Sequence, residues 1–266
     1  SRAREAWEWE QHFEGAHARP ARLAFASKTL RKDFIGAMQR LVPKEGSVLD
    51  VGCGEGELLA ALSNPSRSGI DMVAAAADVA RRRVPEATIT VENALTFRHD
   101  RTYDSIVCDR LCHFVTDVQG LLTNLRRHLS EHGRIYLTCF NALLEPAFGL
   151  AEALGAREKT PPANWLSETD LDNLFKLSGL EVVRFEGRLI MPMPGAGFLN
   201  RYLAPLPVIQ RLAIYRIYVL RRAPTPRTEQ SPSVSVVVPT RNESGNIDAI
   251  LRRTPKMGSR TERYVG

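Results

Sequence analysis

Long apolar runs are missing from this sequence. No stretch of about 18 consecutive apolar residues occurs and no secretory signal pattern is recognisable, so we expect neither a membrane-spanning helix nor secretion. Cysteine is scarce as well: the four cysteines stand at scattered positions, which disfavours a disulfide framework and predicts reduced thiols in a cytoplasmic protein. The 266 residues are 44% hydrophobic, which is enough for one large core.

Basic residues are in excess, but they do not form the pattern of a nucleic-acid-binding surface. The 36 Lys and Arg residues outnumber the 30 Asp and Glu residues, and the net charge is +6. No single basic stripe with interleaved aromatic residues occurs, so we expect no nucleic-acid partner. We interpret the excess as scattered surface charge, which is compatible with peripheral contact to an anionic carrier or a membrane surface. The arginine clusters are Arg81–Arg83, Arg126–Arg127, Arg221–Arg222 and Arg252–Arg253.

An acid and three alternating glycines follow an apolar segment near residue 50. The run VLDVGCGEG contains Asp50, Gly52, Gly54 and Gly56, and the helix-forming residues Glu57–Leu62 come next. This pattern predicts a buried parallel strand, a tight turn and a helix N-terminus, because glycine lets the backbone turn sharply and lets a ligand approach closely. Such a turn marks the nucleotide-type site of a doubly wound α/β fold. A purely structural turn in an unrelated α/β protein is the alternative.

Two common ligand classes are disfavoured by the spacing of this turn. The turn lacks the final Gly-Lys-Ser/Thr of a phosphate-binding loop, which disfavours an ATPase. Its G-x-G-x-G spacing also differs from the G-x-G-x-x-G of dinucleotide-binding proteins, which disfavours an NAD enzyme.

A second acid, Asp71, ends a short strand-like segment about twenty residues after the turn. In dinucleotide folds an acid at this place accepts hydrogen bonds from ribose hydroxyls, while an ordinary helix N-cap is the other interpretation. The later segments alternate between strand-like and helix-like patterns, which predicts a mostly parallel sheet. The predicted strands are Thr88–Ala94, Tyr103–Asp109, Arg134–Phe140, Leu180–Gly187 and Leu212–Leu220. The predicted helices are Met72–Arg83, Gly120–Leu129 and one that begins at Ser167, with Asp170 three residues on.

The order and spacing of these segments resemble the class I S-adenosylmethionine-dependent methyltransferases. From about Leu41 to Phe140 the matching pieces are the VLDVGCGEG loop, the acid after GI, the ENA segment, the YDSIVCD strand and the LRRHL and GRIYL segments. The resemblance implies a methyltransferase domain over residues 1–222 with S-adenosyl-L-methionine as its cofactor. It also implies an α/β, doubly wound, Rossmann-like fold: a seven-stranded, mostly parallel sheet with helices on both faces.

The resemblance implies one set of cofactor-binding residues. Toward the methionine end of the cofactor it assigns Asp50, Gly52, Cys53, Gly54, Gly56, Asp109 and Leu111. For the ribose hydroxyls it assigns Asp71, and for the adenine it assigns Met72, Asn93 and Ala94. Many relatives carry an acid where this sequence has Asn93, and an amide can still hydrogen-bond adenine through its donor and its acceptor.

Methyl transfer to an alcohol or a phenol benefits from a general base or a metal ion. His113 is our candidate base because it follows the fourth predicted strand, where substrate and cofactor would meet; a packed or capping histidine is the alternative. His12 and His17 are second candidates, on an N-terminal segment that would cap the site. The segment Cys108–His113 superficially resembles a metal cluster, but no second ligand pair has metal-site spacing, so we expect no metal ion.

The acceptor pocket is expected to form from segments that interrupt the alternation. Leu143–Trp165 separates two predicted elements and is expected to cover the pocket, with Phe148, Trp165 and the loop Met191–Gly195 as lining. Core packing of the two aromatic residues is equally open. The apolar, proline-broken segment Phe198–Ile209 is expected to form a hydrophobic acceptor wall or a membrane-facing patch.

The C-terminal residues have a different pattern. A polar, proline-rich linker covers residues 223–232, and the VSVVVPTRNE segment that follows resembles the opening of an inverting, A-fold nucleotide-sugar glycosyltransferase of family 2. One strand and one helix cannot bury a core of their own. We therefore interpret residues 233–266 as an incomplete, inactive N-terminal fragment of a glycosyltransferase domain from a longer fusion.

The resemblance implies a methyltransferase, and we expect it to act on oxygen. The fusion favours a glycan, a lipid-linked sugar or another small molecule of the same pathway as acceptor, which is an association rather than a physical argument. The alternative is a degenerate or non-catalytic cofactor-binding domain that scaffolds the fused glycosyltransferase. The pattern makes no prediction of the oligomeric state.

Overall fold

The computed structural model describes residues 24–154, 164–188, 200, 212–224, 234–238, 253 and 261–265. The chain forms two compact units, Ser1–Ala223 and Pro224–Gly266. The strands of the first unit are β1 Ser47–Val51, β2 Ser66–Asp71, β3 Thr88–Val91, β4 Tyr103–Asp109, β5 Leu129–Phe140, β6 Leu180–Arg188 and β7 Tyr215–Arg222. Its helices are α1 Ala24–Leu41, α2 Glu57–Ala61, α3 Ala74–Arg83, α4 Val118–Arg127, α5 Glu145–Ala153 and α6 Glu168–Leu177, with 3₁₀ turns at Leu111–His113 and Ala142–Leu144.

The first unit is built on one seven-stranded sheet. Its strand order is β3-β2-β1-β4-β5-β7-β6, and the first five strands in this order run parallel to one another. Strand β7 runs antiparallel to both β5 and β6. The predicted mostly parallel, doubly wound sheet is therefore confirmed. The strand order reverses between β1 and β4, which is where such sheets bind ligands beyond the carboxyl ends of their strands.

Apolar residues on both faces of the sheet explain why helices cover both. Successive residues of a strand point to opposite faces. Val48 and Leu49 of β1, which are both 0% exposed, accordingly belong to two separate clusters of core residues. The Val48 side packs against α1, α2 and α3, and the Leu49 side against α4 and α6. Burying each such side chain stabilises the fold by about 1.5–3 kcal/mol.

Helix α6 begins where the sequence predicts. The Ser167 hydroxyl accepts a hydrogen bond from the Asp170 backbone N–H at 3.2 Å, and the Asp170 carboxylate accepts one from the Ser167 backbone N–H at 3.0 Å. This reciprocal capping box satisfies two backbone donors that the helix leaves unpaired.

Strand β5 is longer than the sequence pattern predicts. It begins at Leu129 rather than Arg134, so the residues between them also belong to the strand. Tyr103 pairs with Leu129, whereas Ser105 pairs with Arg134, so the register shifts between the two pairs. Gly133 lies in this irregular part of the strand pair, where glycine is common.

The second unit contains a parallel strand pair. Strand β8, Val234–Val238, pairs with β9, Thr261–Val265. Strand β8 lies within the VSVVVPTRNE segment; residues 239–252, where the expected helix would follow, lie outside the described residues. Within the described part of the chain, no helix combines the length and the apolar character needed to cross a bilayer.

Candidate active site

The glycine-rich turn after β1 has the backbone geometry that requires glycine. Gly52, Gly54 and Gly56 have φ values of 78°, 52° and 75°, all in the left-handed region that side chains disfavour. The N–H groups of Gly52 and Cys53 both donate to the Ile70 carbonyl, at 2.8 and 3.0 Å. The turn is therefore tied to β2 and curls over the carboxyl end of β1.

Two of these glycines serve different purposes. A Cβ on Gly56 would lie 3.0 Å from the Cβ of Ala80, so this glycine allows α2 and α3 to pack closely. A Cβ on Gly54 would meet no protein atom within 4 Å, and Gly54 lines an open cavity. The Gly54 backbone is thus exposed to whatever fills that cavity.

Asp71 braces this turn from the end of β2. One of its carboxylate oxygens accepts a hydrogen bond from the Gly54 N–H at 2.8 Å, and the other accepts one from the Val73 N–H at 2.9 Å. Helix α3 has Val73 as its N-cap, so the N-cap interpretation of Asp71 is wrong. A carboxylate has about four acceptor sites, so Asp71 keeps acceptor capacity toward the cavity that it lines.

A cavity of about 610 Å³ opens at the carboxyl ends of the parallel strands. The predicted residues that line it are Gly52, Cys53, Gly54, Asp71, Met72, Asn93, Ala94, Asp109 and Leu111. The predicted residues outside its lining are Asp50, Gly56 and His113. Sequence reasoning missed several charged and aromatic residues of the lining, among them Arg31, Glu57, Glu92, Arg110, Phe114 and Phe140.

Asp50 is buried beside the cavity rather than exposed in it. Its residue surface is 2% exposed. Burial raises the pKa of its carboxyl to about 7; Arg31 opposes this rise, and Asp109 and Asp71 add to it. That Asp50 acts on the methionine end of the cofactor stays a prediction. Because Asp50 is not among the lining residues, it would act through its charge rather than by direct contact.

At the end of β4, Asp109 is held between two arginines. The Arg110 guanidinium donates to its carboxylate from Nε at 3.1 Å and from Nη2 at 2.6 Å, and Arg31 donates from Nη1 at 3.3 Å. Thr138 also donates its hydroxyl to this carboxylate. Burial alone would raise the pKa of Asp109, but the two guanidinium groups and the hydroxyl hold it below its usual range.

His113 does not reach the cavity as a free base. It is 2% exposed, and its two ring nitrogens contact backbone groups. The Asn164 carbonyl lies 2.6 Å from Nδ1, so Nδ1 carries the proton, and Nε2 accepts a hydrogen bond from the Phe140 N–H at 2.8 Å. The structure therefore contradicts the assignment of His113 as general base and fits the packed histidine. His12 and His17 lie outside the described residues.

Two cysteines and a histidine come together next to the lining residues Leu111 and Phe140. This cluster differs from the one that the sequence suggests. The ligand atoms of Cys112, His113 and Cys139 lie within 4.8 Å of one another, and the two sulfurs are 3.0 Å apart. The hydrogen bond with Cys112 and burial raise the pKa of the Cys139 thiol. Because both His113 nitrogens are engaged and a metal ligand must be a thiolate, we assign this cluster to packing.

The adenine end of the predicted site carries an acid that sequence reasoning missed. Glu92 accepts a hydrogen bond from the Thr90 hydroxyl at 2.5 Å and lies 3.0 Å from Nε2 of His99. Partial burial opposes ionisation, but these two hydrogen bonds keep the pKa of Glu92 below its usual value. Asn93 uses its side-chain carbonyl in a local turn, accepting from the Leu95 N–H at 2.8 Å. Glu92 directly follows β3, and its position after a strand was the sequence signal that could have identified it.

A cluster of aromatic side chains stands beside the cavity around Phe140. Phe140 lines the cavity, with Phe148 and Trp165 packed behind it at ring-centroid distances of 5.3 and 6.4 Å. Phe148 and Trp165 are not part of the lining, so the packing interpretation fits them. The predicted wall segments 191–195 and 198–209 lie outside the described residues, apart from residue 200.

Comparison with known proteins agrees with this fold. A family model described as a methyltransferase domain matches residues 22–184. The chain belongs to this methyltransferase family. Among curated proteins, the ubiquinone biosynthesis O-methyltransferase of Actinobacillus pleuropneumoniae is 28% identical over 110 residues, which cover 37% of this chain and 47% of that protein. The chain thus spans about half the length of the curated relatives it matches.

Solved structures share the fold of this methyltransferase. An S-adenosylmethionine-dependent methyltransferase of Thermotoga maritima has a TM-score of 0.60 at 16% identity and covers 82% of this chain and 99% of its own. Magnesium protoporphyrin IX methyltransferase of Synechocystis, solved with S-adenosylhomocysteine, has a TM-score of 0.51 at 16% identity, covering 76% and 85%. The cofactor of this domain is S-adenosylmethionine. The family match ends at residue 184 and lends no support to a glycosyltransferase region at 233–266.

Proposed function

We propose that this methyltransferase methylates an oxygen atom of a small-molecule acceptor. The observation that carries this proposal is the 610 Å³ cavity, which joins the glycine turn at one end to Arg110 and Phe140 at the other. The matched part of the Actinobacillus pleuropneumoniae relative, whose name specifies an O-methyltransferase, supports oxygen as the accepting atom.

The described residues fit the methyl donor. S-adenosylmethionine, when bound, supplies a methyl group on a sulfonium; the acceptor oxygen provides the electron pair of the new bond, and the pair of the broken bond stays on sulfur. The donor carries a net positive charge, and the cavity is lined by more acids than bases. The lining acids are Glu55, Glu57, Asp71, Glu92 and Asp109, and the lining bases are Arg31 and Arg110.

The residues of the chain then act mainly by alignment. Asp71 holds the Gly54 backbone in place by a hydrogen bond of 2.8 Å, so the floor of the donor site is fixed before binding. A rigid site of this kind accelerates transfer because reactants meet in a productive geometry.

The finer parts of the sequence interpretation stay hypotheses. A glycan or lipid-linked sugar acceptor, membrane contact and membership in a glycosyltransferase fusion rest on the resemblance of residues 233–266, where strand β8 fits the expected strand. Cytoplasmic location stays a prediction. A non-catalytic scaffold is the second candidate, favoured by the engagement of both His113 nitrogens.

The test is calorimetric titration with S-adenosylmethionine, with ATP and NAD as controls. We expect selective binding by the native chain and loss of about 10-fold or more in affinity for Gly54→Val, since φ of 52° disfavours a branched side chain that would also enter the cavity. Gly149→Val is the matched control, because its Cβ also meets no atom within 4 Å but its backbone is not left-handed. Retained affinity in Gly54→Val would remove the assigned donor site.

A further inference from the structure

The described lining of the cavity offers carboxylates but no strong base that would remove a proton from a weakly acidic alcohol. No histidine is among its described lining residues, and the Cys53 thiol is kept protonated because burial raises its pKa. Asp109 and Glu92 are carboxylates with lowered pKa values, which makes them weak proton acceptors. An acceptor that ionises easily would not need such a base.

Arg110 presents spare donors to the acceptor end of the cavity. A guanidinium has five N–H groups, and Asp109 accepts from two of them. The other three have no acceptor among the described residues, and the Arg110 side chain is 29% exposed in the cavity lining. Its guanidinium carbon lies 5.5 Å from the centre of the Phe140 ring. The guanidinium thus lies over the Phe140 ring, and both side chains line the cavity.

The backbone of Arg110 adopts a conformation that disfavours side chains. Its φ is 56°, and it is the one non-glycine residue with positive φ among the described residues. Strain of this kind persists when surrounding contacts enforce it and is often found at functional sites. Here the Arg110 N–H donates to the Thr138 hydroxyl and carbonyl, at 2.9 and 3.1 Å, which holds the residue in place. The side chain is thereby directed to Asp109 and the cavity.

We propose that Arg110 binds the acceptor hydroxyl as an oxyanion, so that this site selects acidic hydroxyls of planar molecules, phenols and enols, rather than sugar alcohols. The hydroxyl releases its proton to solvent, Arg110 donates hydrogen bonds to the resulting oxygen anion, and Phe140 contacts the planar ring. The inference rests on the proposed oxygen methylation and names the acceptor class for that site.

The charges around Arg110 are nearly balanced, so the preference for an anion comes from the N–H groups of Arg110 that Asp109 leaves available. Arg31 from α1 lies 3.3 Å from Asp109 and 2.8 Å from Glu57, so two guanidinium groups face two carboxylates. Tyr215 of β7 stays neutral, because burial and Asp33 raise its pKa. Burial raises the pKa of the Asp50 carboxyl to about 7, and Asp71 accepts a hydrogen bond from the Gly54 N–H at the glycine turn. A neighbouring cation lowers the pKa of an acid by about 1–3 units.

The test is the ionisation of a bound phenol, read without methyl transfer. We would titrate 4-nitrophenol with pH and record the visible absorbance of its phenolate, in the presence of the full chain and S-adenosylhomocysteine. The ionisation midpoint of the bound probe is expected to fall by about 1 pH unit relative to free probe. Arg110→Met should abolish the shift, and Arg110→Lys should keep part of it.

Two further variants keep the result interpretable. Arg110→Gly removes the same side chain and adopts a φ of 56° without strain, so it separates loss of the guanidinium from misfolding. Arg82→Met removes an exposed arginine of α3 outside the lining and should leave the midpoint unchanged. The proposal would be overturned if 4-nitrophenol failed to bind, or if its midpoint on the native chain equalled that of the free probe. A midpoint on Arg110→Met equal to that on the native chain would overturn it as well.

Failure of this inference is distinguishable from failure of the proposed function. If S-adenosylmethionine binds and a sugar alcohol is methylated at a rate that Arg110→Met leaves unchanged, the oxygen methylation stands and the acceptor class is wrong. We expect instead that catechol is preferred over methyl glucoside, and that kcat/KM for catechol falls about 100-fold in Arg110→Met, as when an oxyanion donor is removed.

Discussion

At the scale of single residues, Asp50 links the donor site to pH. Its carboxyl is buried beneath the glycine turn, and its pKa is raised to about 7. An acid that is harder to ionise in the folded protein than in the unfolded chain destabilises the fold once solvent pH exceeds its unfolded pKa. The protonated form dominates below about pH 4 in both states, and the folded form ionises only near pH 7.

The sign of the pH dependence follows from this difference. Between about pH 4 and pH 7 the folded protein binds more protons than the unfolded chain, so the contribution of Asp50 to stability falls as the pH rises, by up to about 4 kcal/mol over the window. Asp50→Asn should remove this slope. Urea unfolding of both proteins at a series of pH values measures it; parallel curves for the two would show that Asp50 is not the responsible group.

At the scale of elements, one contact fastens α1 across the carboxyl edge of the sheet. Asp33 of α1 accepts hydrogen bonds from Arg188 of β6, at 3.2 and 2.7 Å, and from the Tyr215 hydroxyl of β7 at 2.6 Å. Arg31 stands two residues earlier on the same helix and enters the cavity. We therefore infer that Asp33 positions α1 and, through it, the second guanidinium beside Asp109.

Replacing Asp33 tests this positioning role. Asp33→Asn should lower the free energy of unfolding by about 1–3 kcal/mol, because it removes charged hydrogen bonds and leaves Arg188 with only the more distant carboxylate of Glu186, at 3.7 Å. Lys32→Met, an exposed change on the same helix, should stay within about 0.5 kcal/mol. Urea denaturation compares the two. Equal stabilities of the two variants would mean that the Asp33 contact contributes nothing. If Asp33→Asn lost stability but kept its cofactor affinity, Asp33 would stabilise the fold without positioning Arg31.

At the scale of the whole molecule, the donor site belongs to the first compact unit. The described lining residues run from Arg31 to Phe140, all within Ser1–Ala223. A compact unit with its own core is able to fold alone. The described part of the second unit is one parallel strand pair.

Shortening the chain tests this division. A protein that ends at Ala223 should bind S-adenosylmethionine within about twofold of the full chain and unfold in one cooperative transition. Calorimetric titration and thermal unfolding measure the two properties. A large loss of affinity would show that residues 224–266 contribute to the donor site, and a loss of cooperativity would show that the first unit needs them to fold.

Local sequence determined the strands, the turn and one cap of this protein. The apolar run before Gly52, the alternating glycines and the Ser167–Asp170 pair all act over a few residues, and the structure reproduces each of them. Their physical causes, left-handed backbone angles and unpaired helix N–H groups, are set by the nearest neighbours in the chain. The same pattern brought Asp71, Met72, Asn93 and Asp109 to one edge of the sheet.

Tertiary packing alone decided which side chains are free to act. His113 stands where a base was expected, but residue 164, about fifty positions later, engages its Nδ1. Arg31 arrives from a helix 78 positions before Asp109, and nothing in its local sequence marks it for the cavity. Hydrogen-bond partners and burial depend on which distant segments meet, and periodicity within a segment carries no information about that meeting.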